Sequence, residues 1–293
     1  MTISERLFET AKQDLDSVEL LYNSGQYNLA LFQLQQSVEK FVKSFGLKTE
    51  VIESKDIAKK INHLPHKVFT RLYQRQIDEL SKYSGTPLLI PDMVPPHQRG
   101  KSKVKENVES LKKMRSEILN FAELNKKNLV EIKDIKKFIK SSEELEAEPT
   151  FDDDKLFAET KDDFVKTHEH MIEYFKGDEN IKSISEDLIK NSNEIAKNKV
   201  KIHKQERIRE RKFGYISYVW INLSLITSPH EQSTRYPSIE NESNPINQYD
   251  QNHVLIKHIP EFIKMMKKTI IKYKEVYNNY ISLRTTTCII NYF

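Results

Sequence analysis

The chain has 293 residues, of which 38% are hydrophobic, so it is long enough to form one large or two modest domains around a real core. It contains only 6 Gly and 10 Pro, which disfavours sandwiches, barrels and other folds that depend on many tight turns. No Gly-rich phosphate loop and no GxGxxG pattern occurs, which argues against the commonest ATP- and dinucleotide-binding enzymes. Composition therefore favours an all-α protein built from long helices.

Charge and cysteine content say little about a partner. The 47 Lys and Arg residues outnumber the 43 Asp and Glu residues only slightly, and the net charge of +4 does not indicate nucleic acid. The single cysteine, Cys288, cannot form an intrachain disulfide, and the charged first turns lack the apolar core of a signal peptide. We expect a cytoplasmic protein.

The uncharged run 213–229 contains Asn and Ser and is short for a bilayer span, so we interpret it as a buried helix and expect no membrane association.

The first 84 residues predict a helical hairpin followed by a third helix. Apolar residues recur every three or four positions between Ser4 and Tyr22, which is typical of a helix with one buried face. Gly25 marks the end of this helix, and a second apolar repeat predicts a helix from Tyr27 to Gly46. A third helical region is expected from about Ser54, with an interruption at Pro65.

The middle of the chain predicts a charged helical arm. A proline-rich stretch between 85 and 103 marks a break, after which positions spaced by four and three from 104 to 139 are mostly apolar, as in a coiled coil. Weaker repeats follow the acidic residues around 143–154. The apolar run from Phe213 and a final helix over about 247–284 complete the chain, and Pro260 either kinks this last helix or moves its start downstream.

This pattern predicts one bundle whose halves are separated by an insertion. We expect the first half in residues 1–100, a helical and partly coiled-coil insertion in 101–212, and the second half in 213–293. Two consecutive domains would give a similar pattern.

The second predicted helix carries a recognisable set of residues: a Tyr-x-x-Ala start, a Gln pair, then Glu-Lys and a second Lys. They fall on Tyr27, Ala30, Gln35, Gln36, Glu39, Lys40 and Lys43. This set resembles the second helix of HEPN domains, named for higher eukaryotes and prokaryotes nucleotide-binding. His63 lies where many members have a His that opens the third helix, and TRYP at 234–237 resembles the Arg-Tyr-Pro after the fourth. The resemblance covers about 4–84 and 213–284.

The resemblance implies an up-and-down helical bundle, often dimeric, that occurs in toxin–antitoxin and defence systems and frequently beside a minimal nucleotidyltransferase. Many members are metal-independent ribonucleases in which an Arg is followed, after four to six residues, by a His. Such a pair suits RNA cleavage because His supplies a base near neutral pH and Arg a fixed cation. No Arg here has that spacing, and the His after Arg235 is His253. The ribonuclease activity is therefore not carried over.

We expect a non-catalytic binding or interaction module without cofactor or metal site. The expected partners are a second copy of the chain, a minimal nucleotidyltransferase, and RNA or a nucleotide. The candidate nucleotide- or RNA-binding residues are Gln36, Glu39, Lys40, Lys43, Arg235 and Tyr236. No residue is assigned a catalytic role; the candidates for one are Arg235, His63 and His66.

Several alternatives remain open from the sequence. Glu39 and Lys43 have the i, i+4 spacing of an ordinary surface ion pair, and Arg235 could cap the preceding helix. Folding could bring His63 or His66 to Arg235 and give a metal-independent endoribonuclease with a rearranged Arg/His site. The chain could also be a structural dimer whose helical arm binds a partner. The basic stretch 199–212 could contact an RNA backbone or be a charged helix end.

Overall fold

The computed structural model describes residues 1–84, 101–125, 131–231, 233–236 and 244–278. Helices account for most of these residues, and no strand occurs among them, which confirms the all-α fold class. The proline-rich stretch at 85–100, Pro237, Cys288 and the expected end of the last helix lie outside the described residues.

The chain forms two compact units. The first consists of the described residues within Met1–Ile77, Ser110–Ala147 and Lys212–Arg284, and the second of those within Asp78–Glu109 and Glu148–Arg211. Both ends of the chain thus contribute to the first unit, together with residues from the middle. The expected domain boundaries at 100 and 212 stay a prediction.

The N-terminal hairpin agrees with the sequence interpretation. Helix α1 spans Ile3–Asn23 and α2 spans Tyr27–Lys48. Thr2 begins α1 with a capping box, in which its Oγ1 accepts from the Glu5 amide and the Glu5 carboxylate accepts from the Thr2 amide. Gly25 has φ +75°, the left-handed conformation that glycine adopts most easily, so the chain can reverse within a short turn.

Glycine 46 does not end α2, and that expectation is wrong. A Cβ at Gly46 would lie 2.8 Å from Val68 Cγ1 and 3.0 Å from Ile52 Cδ1, so glycine is needed here for close packing rather than for a turn. A short π-helical turn, Ile57–Ile61, precedes α3, which spans His66–Ser84. His66 opens α3, whereas His63 lies in the preceding turn.

The charged middle divides into several helices. They are α4 (Lys101–Asn125), α5 (Ile132–Glu146), α6 (Asp153–Tyr174) and α7 (Glu179–Lys190). In α5 the buried residues are Ile135 and Phe138, while Ile132 is 55% exposed. The seam predicted for 104–139 therefore does not continue into α5, because the face that α5 buries is a different one.

The apolar run from Phe213 is the second part of a longer helix. Helix α8 is continuous over Ser192–Thr227, and a 3-10 turn, Ser228–His230, follows it. The change from charged to apolar sequence marks where α8 becomes buried, not where its backbone ends.

The single helix expected over 247–284 is instead three: α9 (Pro245–Gln248), α10 (Val254–Lys257) and α11 (Ile259–Asn278), with Pro260 in the first turn of α11.

Aromatic side chains join both ends of the chain in the core of the first unit. Trp220 of α8 stacks on Phe41 of α2 at a ring-centroid distance of 5.9 Å and an interplanar angle of 11°. Trp220 is fully buried, and its indole N–H donates to Thr269 Oγ1 of α11 at 3.1 Å. Phe8 of α1 packs on Phe41 at 5.1 Å. Four helices therefore share one apolar core.

The second unit has a smaller apolar core and more charge. Phe164 of α6 lies under the Lys199 ammonium of α8 at 4.4 Å, and Lys204 forms an ion pair with Asp153. Ala196 and Val200 of α8 are also buried. Within the described part of the chain, no helix combines the length and apolar character that a membrane span requires.

We expect Gly46→Ala to destabilise the protein by about 1–3 kcal/mol, because the added methyl group overpacks the contact with Val68. The matched control is Gly214→Ala, since a Cβ there meets no atom within 4 Å and alanine favours a helix. Urea unfolding followed by circular dichroism measures both free energies of unfolding. Equal or greater stability of the Gly46 variant would contradict the close approach of α2 to Val68.

Candidate functional site

The polar residues of α2 form a buried ion network. Glu39 is only 5% exposed, and its Oε1 accepts from Lys43 Nζ at 2.5 Å while its Oε2 accepts from Gln35 Nε2 at 3.0 Å. Lys43 is 7% exposed. The pair has the i, i+4 spacing that the sequence indicates, but it is buried rather than on the surface. A buried ion pair is stable only where further hydrogen bonds satisfy both charges, as Gln35 does here.

A second ion pair links α2 to α1. Lys40 Nζ lies 2.5 Å from Asp14 Oδ2, and Gln33 Nε2 donates to Asp14 Oδ1 at 2.7 Å. Gln36 Nε2 donates to Gln35 Oε1 at 2.6 Å, which connects this pair to the Glu39 network. Both lysine ammonium groups are therefore engaged with carboxylates inside the bundle. A phosphate-binding role for Lys40 and Lys43 stays a prediction.

The fold brings His63 and Arg235 to the same carboxylate. Glu231 Oε1 lies 3.4 Å from His63 Nδ1 and 3.9 Å from Arg235 Nη1. His63 Nδ1 is also 3.2 Å from Glu39 Oε2, so the His63 ring faces both carboxylates. The His63 side chain is 49% exposed, whereas that of Glu231 is 13% exposed. His66 is buried at the start of α3, so His63 rather than His66 is the histidine against Glu231.

Arg235 and Tyr236 form the exposed edge of this group. The Arg235 guanidinium lies 4.9 Å from the ring centroids of both Phe32 and Tyr236, and its Nη2 donates to Tyr236 Oη at 2.7 Å. Tyr236 is 58% exposed. We call His63, Glu231, Arg235 and Tyr236 the His63–Arg235 site. The other four binding candidates, Gln36, Glu39, Lys40 and Lys43, belong to the ion network of α2.

The turn after α8 is held against the start of α2. Asn28 Nδ2 donates to the Thr234 carbonyl at 3.2 Å, and the buried Thr234 hydroxyl donates to the His230 carbonyl at 2.8 Å. These bonds hold His230 and Thr234 against α2, so Glu231 and Arg235 have defined positions. Sequence reasoning missed Glu231, although its i, i+4 spacing from Arg235 could have indicated the pair.

A buried cluster of polar rings beneath this turn was also missed. His230 Nδ1 and Tyr249 Oη are 2.7 Å apart, Ser233 Oγ is 2.6 Å from the same hydroxyl, and the His253 ring lies 4.8 Å from the Tyr249 ring. Burial lowers the pKa of His230 to about 4, with a smaller contribution from His253, and burial also lowers the pKa of His253. Burial raises the pKa of Tyr249. The cluster is therefore uncharged near neutral pH.

No group of three His, Cys, Asp or Glu side chains is arranged to hold a metal ion within the described residues. The hydrogen-bond donors that the His63–Arg235 site offers a ligand are those of the Arg235 guanidinium. Both carboxylates lie at His63 Nδ1, so this nitrogen donates to them and Nε2 is left as an acceptor.

The HEPN domain family model matches residues 4–125. Residues 4–125 therefore form a HEPN domain, as the residues of α2 indicated. The match extends beyond the expected 4–84 to the end of α4, whereas the expected range 213–284 lies outside it. This domain indicates a nucleotide- or RNA-related function. The turn with Glu231 and Arg235 lies outside the matched range. The chain matches no curated protein and no solved structure.

We expect acid to destabilise the protein through His230. Its pKa is near 6.5 when unfolded and about 4 when folded, so the stabilisation is complete above pH 6.5 and is lost as the pH falls toward 4. Between about pH 7.5 and about pH 5 the loss from this group is about 2 kcal/mol.

His230→Gln keeps a hydrogen-bonding group beside Tyr249 but removes the titration. Urea unfolding at both pH values should therefore show a smaller acid-induced loss of stability in this variant than in the wild type. His170→Gln, in the second unit, is the control and should behave like the wild type. An unchanged acid dependence in His230→Gln would contradict the assignment.

Proposed function

We propose that the chain binds RNA or a nucleotide at the His63–Arg235 site without cleaving it. One observation carries this proposal: two half-exposed basic side chains, His63 and Arg235, converge on a single carboxylate, Glu231. They come from segments far apart in the sequence, and the fold holds both at one point of the surface. Two basic groups at one point of the surface can bind an anionic ligand that is large enough to contact both of them.

The geometry leaves Arg235 available to a ligand. Its 3.9 Å separation from Glu231 exceeds hydrogen-bonding distance, so the guanidinium retains donors that a phosphate oxygen can accept from. Glu231 is itself an anion and opposes a phosphate at close range, so the phosphate is held by the Arg235 guanidinium. The exposed Tyr236 ring offers a face on which a base can stack.

The lysines of α2 stabilise this site from the interior of the bundle and do not contact the ligand. Lys43 holds Glu39, and Glu39 in turn holds His63 Nδ1. The ion network thus orients the His63 ring from the interior. This role accounts for a Glu-Lys pattern on α2 without requiring an exposed lysine.

We expect Arg235→Gln to weaken the binding of a labelled single-stranded RNA by about tenfold, the size expected when one charge-assisted hydrogen bond is lost. Fluorescence anisotropy at two salt concentrations measures the dissociation constants and their salt dependence. Arg6→Gln removes the same charge from an exposed position on α1 and should leave binding within twofold of the wild type. Equal losses in both variants, or no binding by the wild type at low salt, would contradict the proposal.

A second candidate function is metal-independent RNA cleavage, and the same convergence favours it. His63 Nε2 is a candidate base for the 2′-hydroxyl proton, and Arg235 a candidate cation for the charge on phosphorus. We prefer binding because the Arg-x4-6-His motif is absent. Incubation of the RNA with EDTA-treated protein distinguishes the two: cleavage that is lost in His63→Ala and absent on a 2′-deoxy strand would establish a ribonuclease.

The setting of this activity is proposed on the family resemblance alone. The resemblance supports a role in toxin–antitoxin or defence systems. It also supports a homodimer and a minimal nucleotidyltransferase as partner. The remaining alternative is a structural dimer whose helical arm binds a partner. Light scattering of the purified chain, alone and with a nucleotidyltransferase from a neighbouring gene, tests the dimer and the partner separately.

A further inference from the structure

The second unit contains a cavity that the HEPN match does not include. Its volume is about 370 Å³, and it lies between the basic side of α8 and the residues that lead into α6. A cavity of this size is large enough for a small organic ligand such as a mononucleotide. Its lining includes Phe151, Lys155, Leu156, His203, Arg207 and Arg211.

One side of the cavity is basic. His203, Arg207 and Arg211 follow one another at intervals of four residues, so they lie on three successive turns of the same face of α8. Arg207 Nε donates to His203 Nε2 at 3.5 Å, a long bond that leaves the rest of the guanidinium fork for a ligand. Lys155 adds a fourth basic group from α6.

Two carboxylates also line the cavity, and both have partners within α6. Asp152 is the N-cap, and its Oδ1 accepts from the Lys155 amide at 3.0 Å. Glu159 Oε1 lies 4.0 Å from Lys155 Nζ. Lys155, Arg207 and Arg211 therefore outnumber these carboxylates by three charges to two.

The opposite side of the cavity is apolar. Phe151 and Leu156 line it together with Pro149, and the Lys204 ammonium lies 5.9 Å from the Phe151 ring centroid. An aromatic ring next to a row of arginines is the combination with which proteins hold a base and its phosphate. A simple inorganic anion would use only the basic side.

We propose that this cavity binds a nucleotide, with its phosphate on Arg207 and Arg211 and its base on Phe151. The nucleotide is either free or the end of an RNA strand, since both present the same chemistry. The site belongs to the second unit and does not depend on the His63–Arg235 site, so either proposal can fail while the other holds.

The test uses the full chain and fluorophore-labelled adenosine 5′-monophosphate, followed by anisotropy. Unlabelled adenosine monophosphate should displace the probe, whereas inorganic phosphate at the same concentration should not. Displacement by oligoadenylate at lower concentrations than by the mononucleotide would assign the strand end as the ligand, and the reverse order would assign the free nucleotide.

Variants locate the site. Arg207→Gln should weaken probe binding by about tenfold, and Phe151→Leu, which keeps an apolar side chain but removes the ring, by about threefold or more. Arg209→Gln is the matched control, because Arg209 is two residues from Arg207 on α8 and does not line the cavity. Because the His63–Arg235 site is also proposed to bind nucleotides, each of these variants is made in an Arg235→Gln background, in which the remaining probe binding reports the cavity alone.

The proposal is overturned if labelled adenosine monophosphate does not bind when either the protein or the nucleotide is at millimolar concentration. It is equally overturned if Arg209→Gln weakens binding as much as Arg207→Gln does, or if phosphate competes as well as the nucleotide and Phe151→Leu has no effect. Arg207 is exposed, so its replacement is not expected to prevent folding, and circular dichroism verifies this for each variant.

Discussion

The contact between Phe41 of α2 and Trp220 of α8 is the constraint on which the rest of the first unit depends. Both side chains are fully buried, and their rings stack at 5.9 Å. Glu39 and Lys43 lie within one turn of Phe41 on α2, and α8 ends only two turns after Trp220. Packing these two rings therefore fixes the distance between the α2 network and the turn that carries Glu231 and Arg235.

The buried Glu39 links α2 to the segment before α3, because His63 lies in that segment. A buried carboxylate is costly unless each of its oxygens has a partner, and Glu39 has Lys43 on one oxygen and Gln35 and His63 near the other. Gln35 and Lys43 lie on α2 itself, so a shift of α2 would separate Glu39 only from His63. The same network that stabilises one arrangement of helices thus also holds the imidazole of the His63–Arg235 site, which links stability to the proposed binding.

Local sequence signals predicted part of this structure. The apolar repeats predicted α1 and α2, because a helix that buries one face must repeat every three to four residues. A glycine in the sequence does not by itself show why it is there. Gly25 takes a left-handed conformation at the end of α1, whereas Gly46 lies inside α2 because Val68 leaves no room for a Cβ. Only the position of Val68 in the structure distinguishes the two cases. The change from charged to apolar residues at Phe213 likewise marks where α8 becomes buried. A continuous helix can pass from an exposed to a buried environment without a break in its backbone.

The site was harder to predict than the fold because its residues meet only in three dimensions. The α2 residues of the HEPN motif could be identified in the sequence, but their charges face one another inside the bundle. Glu231 has no motif of its own, and its importance arises from lying between His63 and Arg235. The His230, Tyr249 and His253 cluster likewise joins residues whose spacing in the sequence has no recognised pattern.

The chain contains a single tryptophan, so its fluorescence tests most directly whether both ends of the chain share one core. The account predicts short-wavelength emission that iodide does not quench in the native protein, and a change in that emission when Phe41 on α2 is replaced by leucine. Native emission and quenching equal to those in concentrated urea, or a Trp220 signal that does not respond to Phe41→Leu, would contradict it.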